Sequence, residues 1–387
     1  MIYFDNGATT FPKPKGVAVA VNNVLQKYGA NPGRSGHNLS LKSAEIMYEC
    51  RKNLADFFKV SSPENVIFTS NCTSALNTVI KGVLKPGDHA VISSLEHNAV
   101  VRPLEELKNN GVKYTVAEYV PYDDEATINN FRNAMNERTR LVVCTHASNV
   151  FGFKLPVERI GALCRLHGVL FCVDAAQTAG VTELPLDDTS IDYLCMSGHK
   201  GLYGPMGTGA LIINSDVLPK SLIQGGTGSM SYQKSQPEVL PDMYESGTPN
   251  LPGIAGLNEG IKFINRCGIK NIERHEMRLA QMLYDNLNAM NNIELYTQRP
   301  NSKTSVPVIS FNIKDEDSED VAAELNRFGI AVRAGLHCAP LAHESFGTID
   351  RGTVRAVMSA FNNDSNVRMF VYTLNRMISS KKRNQKG

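Results

Sequence analysis

The chain has 387 residues, of which 42% are hydrophobic and 20% charged, so it is long enough to bury a sizeable core. Lys and Arg total 40 against 38 Asp and Glu, and the net charge of +2 excludes the strong positive field that nucleic-acid binding requires. No apolar run approaches the roughly 20 residues of a membrane helix, and the first residues lack a signal-peptide pattern. We therefore expect a cytoplasmic protein of about two domains that binds neither nucleic acid nor membrane.

The eight cysteines are spread along the chain without a C-x-x-C pair, which argues against zinc and redox sites. We expect no metal site. In a reducing compartment most cysteines are small buried hydrophobic residues, and we expect seven of the eight to be so. Cys338 is the exception, because it lies in a segment bounded by glycine and proline.

Short apolar runs alternate with amphipathic stretches over the first 250 or so residues. This alternation predicts an α/β domain with a mostly parallel, seven-stranded sheet, whose ligands bind beyond the carboxyl ends of the strands. The candidate strands are 65–69, 90–93, 113–118, 140–145, 169–173, 191–196 and 209–213. The candidate helices between them are 73–84, 100–109, 127–136 and 156–167.

The pattern changes near residue 251 to one that predicts a smaller, C-terminal α+β domain. Its predicted elements are helices 253–265 and 272–288, strand 306–312, helix 318–327, a short strand 331–333 and two further helical stretches. We place the large domain at residues 15–250 and the small domain at residues 251–387. Residues 1–14 are expected to pack near the small domain.

The strongest local signal is Ser197-Gly198-His199-Lys200, which follows an apolar strand and opens a glycine-rich turn. A lysine is solvated by default, but Ser197 and His199 suit a phosphate group beside an imine-forming lysine. Asp174 ends the previous strand, 26 residues before Lys200, and is either a helix cap or a carboxylate at the same sheet edge. A carboxylate opposite an amine is the pairing that pyridoxal phosphate needs, with the acid on the pyridine nitrogen and the lysine on the aldehyde.

Two weaker signals lie at the ends of other strands. Thr73 follows the strand 65–69 and is either a plain helix N-cap or a phosphate ligand at a helix N-terminus. His97 follows the next strand and is either a packing residue or a ring lying over a cofactor.

Two further signals come from the C-terminal third of the chain. Cys338 lies close to Arg333 and His337, and positive charge at these residues would favour the thiolate. Arg355 is part of 353–356, which we predict to begin a helical stretch. It is either an exposed arginine or a bidentate clamp on a substrate carboxylate.

In this order the motifs resemble those of the class V, fold type I pyridoxal phosphate enzymes, and within them the cysteine desulfurases. The resemblance extends from residue 3 to about residue 362 and includes 5–10, 31–37, Ser148-Asn149-Val150-Phe151-Gly152 and Tyr244-Glu245-Ser246-Gly247-Thr248-Pro249-Asn250. The segment 333–339 resembles the group II branch, which is related to selenocysteine lyase and has a short cysteine loop. The phosphate loop reads Asn71-Cys72-Thr73-Ser74, where the family usually has Gly-Thr-Thr-Glu.

The resemblance implies a role for each matching residue and a homodimer. The residues implied to bind pyridoxal phosphate are Thr73, His97, Asp174, Gln177, Ser197, His199, Lys200 and, from the second subunit, Thr248. Those implied to hold the substrate are His37, Asn149 and Arg355. Those implied to take part in catalysis are Lys200, Cys338 and His97.

The implied function is conversion of L-cysteine to L-alanine with a persulfide formed on Cys338, for example in iron–sulfur cluster assembly with a sulfur-acceptor protein. One alternative is a selenocysteine lyase or another class V β-lyase, in which Cys338 need not take up sulfur. A class V aminotransferase is a weaker alternative, because it needs no thiol on this loop. A non-catalytic scaffold is disfavoured by the intact Lys200 and Asp174.

Overall fold

The computed structural model describes residues 1–32 and 36–384, with only the backbone of residues 381–384. The strands are β1 (Ile2–Tyr3), β2 (Val66–Thr69), β3 (His89–Ser93), β4 (Lys113–Ala117), β5 (Thr139–Thr145), β6 (Leu170–Asp174), β7 (Tyr193–Ser197), β8 (Gly209–Ile213), β9 (Ile293–Leu295), β10 (Val308–Ile313), β11 (Ile330–Ala331) and β12 (Val354–Val357). The helices are α1 (Lys15–Asn23), α2 (Asn38–Phe58), α3 (Cys72–Val83), α4 (Asn98–Lys108), α5 (Asp124–Ala134), α6 (Val157–Leu166), α7 (Leu251–Cys267), α8 (Ile269–Asn288), α9 (Ser318–Arg327), α10 (Pro340–Ser345) and α11 (Asp364–Asn384).

Seven strands form the central sheet, in the order β2-β8-β7-β6-β5-β3-β4. Strand β8 pairs antiparallel with both of its neighbours, and the other adjacent strands pair in parallel. The prediction of a mostly parallel seven-stranded sheet is therefore confirmed. Because the parallel strands share one direction, the carboxyl ends of β5, β6 and β7 lie side by side at one edge of the sheet.

Side chains of the central strands alternate between two apolar layers, which is why these strands are apolar almost throughout. In β5, Val142 and Cys144 belong to the layer that packs against α2, α6 and α7. Their neighbours Leu141 and Val143 belong to the layer that packs against α3 and α4. The sheet is thus covered by helices on both faces, and its strand ends are the part that remains open for a ligand.

A second, smaller layer is built by the antiparallel sheet β12-β10-β9. Phe311 on β10 and Phe370 on α11 share its apolar cluster with Phe4, which follows β1. Strand β1 pairs in parallel with β11, so the start of the chain is attached to this C-terminal unit.

The prediction that residues 353–356 begin a helix is wrong, because residues 354–356 belong to β12. The strand pairs antiparallel with β10, with Arg355 opposite Ser310. Val354 and Ala356 enter the apolar cluster of the small sheet, and the alternation leaves Arg355 on the other face. Pairing with a strand more than 40 residues earlier decides the structure here, and four residues carry too short a pattern to reveal it.

Helix α7 begins at residue 251, where we predicted the domain boundary. Its residues Ile254, Leu257, Ile261 and Ile264 belong to the apolar layer of the large sheet. The helix that opens the proposed small domain is therefore packed against the large one. The boundary itself stays a prediction.

Two kinds of feature are absent from the part of the chain that the structure describes. None of the helices in residues 1–32 and 36–384 is both long enough and apolar enough to cross a membrane. No group of three or more His, Cys, Asp or Glu side chains in the same ranges could hold a metal ion.

Helix α8 carries a buried carboxyl group, Glu276. The Tyr203 hydroxyl donates a hydrogen bond of 3.0 Å to Glu276 Oε1, and that hydroxyl accepts one of 2.9 Å from the Ala360 backbone. Burial raises the pKa of Glu276 to about 8. The folded protein therefore holds a proton here that the unfolded chain releases near pH 4.5.

We expect Glu276→Gln to change how stability depends on pH. The parent protein should lose free energy of unfolding relative to the variant as pH rises from about 4.5 to about 8, and the difference should level off above that window. Denaturant unfolding of both proteins at pH values below, within and above this range measures the difference in free energy of unfolding. Glu273→Gln, on the same helix at a half-buried position, is the matched control. If the free energy of unfolding varied with pH in the same way in the parent and in Glu276→Gln, the raised pKa of Glu276 would be contradicted.

Candidate active site

A cavity of about 290 Å³ lies where β5, β6 and β7 end. Its lining residues are Asn71, Cys72, Thr73, Leu76, His97, Ala99, Thr145, Ala147, Asn149, Asp174, Ala176, Gln177, Ser197, His199 and Lys200. The structure thus brings together eight of the residues singled out from the sequence, namely Thr73, His97, Asn149, Asp174, Gln177, Ser197, His199 and Lys200. Their convergence follows from the parallel sheet, because each comes from a strand end or the loop after it.

Asp174 and Lys200 both line this cavity, and the charge of Asp174 acts on the Lys200 amine. Asp174 is buried, and its Oδ1 accepts hydrogen bonds from the Ala176 backbone at 2.8 Å and from the Cys72 thiol at 3.3 Å. Burial lowers the pKa of Lys200, and the charge of Asp174 partly offsets that effect. The amine is therefore not an ordinary solvated lysine, and it is more readily deprotonated than one. No helix follows Asp174, so its carboxylate caps a turn and not a helix.

Two glycines bring the turns after β6 and β7 into direct contact. Gly180 has φ +81°, and a Cβ atom added there would lie 2.3 Å from the Gly201 carbonyl oxygen. A Cβ on Gly201 would lie 2.5 Å from the Ala179 carbonyl oxygen. Both positions thus exclude side chains, and this close approach sets the distance between the turns that carry Asp174 and Lys200.

The N-terminus of α3 opens on the cavity. Asn71 is the N-cap, because its Oδ1 accepts a 2.9 Å hydrogen bond from the Ser74 backbone. The reading of Thr73 as a plain N-cap is therefore wrong, and its side chain is left for the cavity that it lines. The start of a 12-residue helix presents unpaired backbone N–H groups that suit an anion.

Ser197 and His199 also line the cavity. Ser197 is buried at the end of β7. His199 Nδ1 is buried and has no hydrogen-bond partner among the described residues. Burial lowers the pKa of His199 to about 4, so the ring is neutral. An unsatisfied buried nitrogen is costly unless a ligand pairs with it.

His97 is the N-cap of α4, and its Nδ1 accepts a 3.0 Å hydrogen bond from the Ala99 backbone. Nδ1 must therefore be unprotonated, which places the proton of the neutral ring on Nε2. Burial lowers the pKa of His97 to about 4. Gln177 also lines the cavity, while its Nε2 donates to the Gly7 carbonyl at 3.1 Å.

Arg355 lies just behind the cavity and is only 1% exposed. Its Nη1 donates to the Asn149 carbonyl at 2.6 Å, and its Nη2 donates to Asp5 Oδ1 at 3.1 Å. Nε is buried and has no partner among the described residues. The alternative of an exposed arginine is therefore wrong, and the Nε–H of this buried guanidinium is free to pair with a ligand.

The Cys338 thiol is exposed, but its backbone is fixed to the wall of the cavity. The Cys338 carbonyl accepts a 2.8 Å hydrogen bond from Asn98 N, next to His97. The Asn149 side chain donates to the His337 carbonyl at 2.7 Å. These two contacts bring the cysteine loop against elements that line or adjoin the cavity.

The expected positive charge near Cys338 comes from one residue only. Arg333 Nη2 lies 3.6 Å from Cys338 Sγ. Burial lowers the pKa of His337 to about 2, and its Nε2 is 2.9 Å from the Thr353 carbonyl, to which a neutral ring donates. The expectation that His337 contributes positive charge is therefore wrong, because the ring is buried and neutral.

The remaining two predicted site residues do not line this cavity. His37 is the N-cap of α2, where its Nδ1 accepts a 3.2 Å hydrogen bond from the Ser40 backbone. Thr248 is exposed, on a loop anchored by Glu245. Glu245 forms a bidentate ion pair with the buried Arg51, at 2.8 and 2.7 Å. Of the motif at 31–37, residues 33–35 lie outside the described residues.

Sequence reasoning gave no role to three residues that shape the site. Asp5 pairs with Arg355, Cys72 contacts Asp174, and Glu96 is a fully buried carboxyl group whose pKa burial raises to about 8. Glu96 Oε1 accepts hydrogen bonds from the Ser93 hydroxyl and, at 2.7 Å, from the Thr145 backbone. Asp5 and Cys72 lie inside motifs that the sequence did reveal, whereas nothing local marks Glu96 as buried.

The expectation that seven cysteines are buried is wrong for Cys267, which is exposed at the end of α7. We therefore expect iodoacetamide to label two native cysteines, Cys338 and Cys267, far faster than the six buried ones. Burial raises the pKa of most of the buried thiols, namely Cys50, Cys72, Cys144, Cys164 and Cys195. Peptide mass mapping after brief labelling measures this, and unfolded protein is the control. Rapid native labelling of Cys72 would contradict the burial of its thiol.

Comparisons with known proteins agree with this geometry. A family model described as aminotransferase class-V matches residues 2–370. A relative from Methanothermobacter thermautotrophicus, named probable cysteine desulfurase, is 34% identical over 382 residues, covering 96% of this chain and 94% of the relative. One of the same name from Pyrococcus abyssi is 35% identical over 398 residues, covering 100% and 96%.

A solved structure of a cysteine desulfurase is also similar to this chain. The apo structure of a cysteine desulfurase from Thermococcus onnurineus NA1 has a TM-score of 0.89 and 34% sequence identity, covering 98% of this chain and 95% of that one. Class V aminotransferases, and the cysteine desulfurases among them, depend on pyridoxal phosphate. The chain belongs to the class-V aminotransferase family.

Proposed function

We propose that this chain is a pyridoxal phosphate-dependent cysteine desulfurase that forms a persulfide on Cys338. The observation that carries the proposal is the position of Cys338. Its thiol is exposed, and its loop is hydrogen-bonded through Asn98 and Asn149 to the wall of the cavity that holds Lys200. The full-length relatives named cysteine desulfurase support the same activity.

The residues present fit the cofactor. The N-terminus of α3, Thr73, Ser197 and the unpaired Nδ1 of His199 form a donor set suited to its phosphate. Asp174 is the buried carboxylate for a protonated ring nitrogen, and Lys200 is the amine for the aldehyde. When bound, pyridoxal phosphate withdraws electrons from the substrate and stabilises negative charge at its α-carbon.

The remaining residues bind the substrate and move protons. Arg355 offers its unused Nε–H to a carboxylate, and Asp5 and Asn149 hold the guanidinium in place. The Lys200 amine, with its lowered pKa, takes up and releases a proton more readily near neutral pH than a solvated lysine does. Gln177 and the neutral His97 line the cavity and complete the set proposed to bind the cofactor ring.

The proposed sulfur transfer needs no oxidant or reductant besides the substrate cysteine and the Cys338 thiolate. The Cys338 thiolate attacks the sulfur of the substrate cysteine, and a sulfur–sulfur bond forms as the carbon–sulfur bond breaks. The electron pair of the broken bond stays on the substrate carbon, which takes up protons and leaves as alanine. The products are one enzyme persulfide and one alanine per cysteine. Arg333 Nη2, 3.6 Å from Cys338 Sγ, places a positive charge beside the attacking sulfur.

The broader context is proposed from the sequence resemblance. We infer a group II enzyme with a short cysteine loop, a homodimer in which Thr248 reaches the partner's phosphate site, and a sulfur-acceptor protein of iron–sulfur cluster assembly. His37 is proposed to line the substrate pocket. The cytoplasmic location stays a prediction.

Cys338→Ala tests the central step. We expect the variant to bind pyridoxal phosphate and turn yellow like the parent. After incubation with cysteine, the variant should carry no added sulfur atom. It should release alanine at least about 100-fold more slowly than the parent, because it lacks the intramolecular nucleophile. Mass spectrometry and an alanine assay measure the two effects. Cys267→Ala, at the other exposed cysteine, is the matched control.

Two outcomes of that experiment would overturn the proposal. Cysteine turnover at the parent rate in Cys338→Ala would remove the persulfide step. Efficient cleavage of selenocysteine by the same variant, together with negligible turnover of cysteine by the parent, would favour the lyase alternative.

The dimer is tested through Thr248. We expect the parent to sediment as a dimer, and Thr248→Ala to sediment likewise but to bind pyridoxal phosphate several-fold more weakly. The reason is that the exposed hydroxyl is proposed to donate to a phosphate in the partner subunit. Sedimentation velocity and cofactor titration measure the two properties. A monomer with full cofactor occupancy would contradict the proposed arrangement.

A further inference from the structure

The Cys72 thiol touches the carboxylate that is proposed to pair with the cofactor. Cys72 is the first residue of α3, and its Sγ donates to Asp174 Oδ1 at 3.3 Å. The Ala176 backbone donates to the same oxygen at 2.8 Å. Within the described ranges, both hydrogen bonds to this carboxylate end on Oδ1. Oδ2 is therefore the oxygen available to a ligand.

The thiol remains a donor in the folded protein. Burial, with the added effect of the Asp174 charge, raises the pKa of Cys72 well above its usual range. A thiol that stays protonated carries the hydrogen that a carboxylate accepts. The whole residue is 5% exposed and belongs to the apolar layer with Leu76 and Cys195, which holds the sulfur in place.

We propose that Cys72 is a positioning residue that fixes the rotation of the Asp174 carboxylate. The terminal torsion of an aspartate is soft, so one backbone hydrogen bond leaves the carboxylate some freedom about its axis. A second donor on the same oxygen, from a different element, removes that freedom and keeps Oδ2 available to the cationic N–H of a bound pyridine ring. This inference rests on the proposed function, because pyridoxal phosphate supplies that ring.

The chain offers a way to separate the hydrogen bond from packing. Cys72→Ser keeps a donor on a side chain of similar size, whereas Cys72→Val fills the space with a slightly larger apolar side chain and removes the donor. Cys72→Ala removes both. Cys50→Ala, at a fully buried cysteine on α2, is the matched control for the loss of a buried thiol elsewhere.

The experiment measures cofactor binding and not turnover. Each protein is stripped of cofactor and titrated with pyridoxal phosphate, and the visible absorption maximum and the induced circular dichroism of the bound cofactor are recorded. For Cys72→Val and Cys72→Ala we expect a dissociation constant roughly threefold to tenfold higher, the effect of one weak hydrogen bond to a charged group. We also expect a displaced absorption maximum and a weaker dichroic band, because the ring is less firmly oriented.

The comparison of Cys72→Ser with Cys72→Val distinguishes a thiol that acts as a hydrogen-bond donor from one that only fills space. Cys72→Ser should stay within about twofold of the parent in affinity and keep the parent spectrum, as should Cys50→Ala. If Cys72→Val behaves like the parent, the thiol only fills space and the inference is wrong. The pair of Val and Ser variants carries this test even if Cys72→Ala fails to fold. A parent protein that takes up no pyridoxal phosphate would instead overturn the proposed function itself.

Discussion

One buried arginine joins the three parts of the chain that meet at the site. Arg355 comes from the small sheet, Asp5 from the start of the chain and Asn149 from the loop after β5, and the last two accept hydrogen bonds from the guanidinium. Moving such a charge out of water costs several kcal/mol, so it is stable in the interior only when it is paired. The attachment of the small sheet to the start of the chain and to the loop after β5 therefore depends on this pairing.

The same pairing orients the Arg355 guanidinium before a ligand binds. Two partners fix the plane of the guanidinium, and the unsatisfied Nε is left with a fixed direction. A carboxylate that binds there would meet a donor whose orientation has been set during folding, so little side-chain entropy is lost on binding. Asp5 also reduces the net positive charge at this point, which favours a single carboxylate over a more highly charged anion.

The start of the chain also holds the lysine-bearing turn. Thr10 Oγ1 donates to the Lys200 carbonyl at 3.0 Å, and Lys13 Nζ donates to the His199 carbonyl at 2.6 Å. These contacts, together with the close approach of Gly180 and Gly201, fix the backbone of this turn. Residues 5–13 thus contact both the proposed cofactor lysine and the proposed substrate arginine, although none of them lines the cavity at the ends of β5, β6 and β7.

The sequence was informative where structure is decided locally, and less so elsewhere. All seven strands of the large sheet could be recognised, because its interior strands are continuous apolar runs and the edge strand β4 alternates between exposed and less exposed residues. The strand β12 could not, because its pairing with β10 is long-range. The convergence of Asp174 and Lys200 follows from strand ends on one edge, whereas the neutral state of His337 depends on burial that no motif reveals. The roles of His37 and Thr248 rest on resemblance, since the described chain brings neither to the cavity.

The loop that carries Cys338 combines an exposed thiol with a constrained backbone. His337 and Cys338 have φ of 50° and 60°, and each non-glycine residue in this region costs roughly 1 kcal/mol or more. Hydrogen bonds to both of their carbonyl oxygens, from Asn149 and Asn98, offset that cost. A loop held this way cannot carry its sulfur far from the cavity without breaking both bonds. In the proposed reaction the thiol therefore meets each substrate in a fixed alignment, and an acceptor must approach the enzyme closely to remove the sulfur.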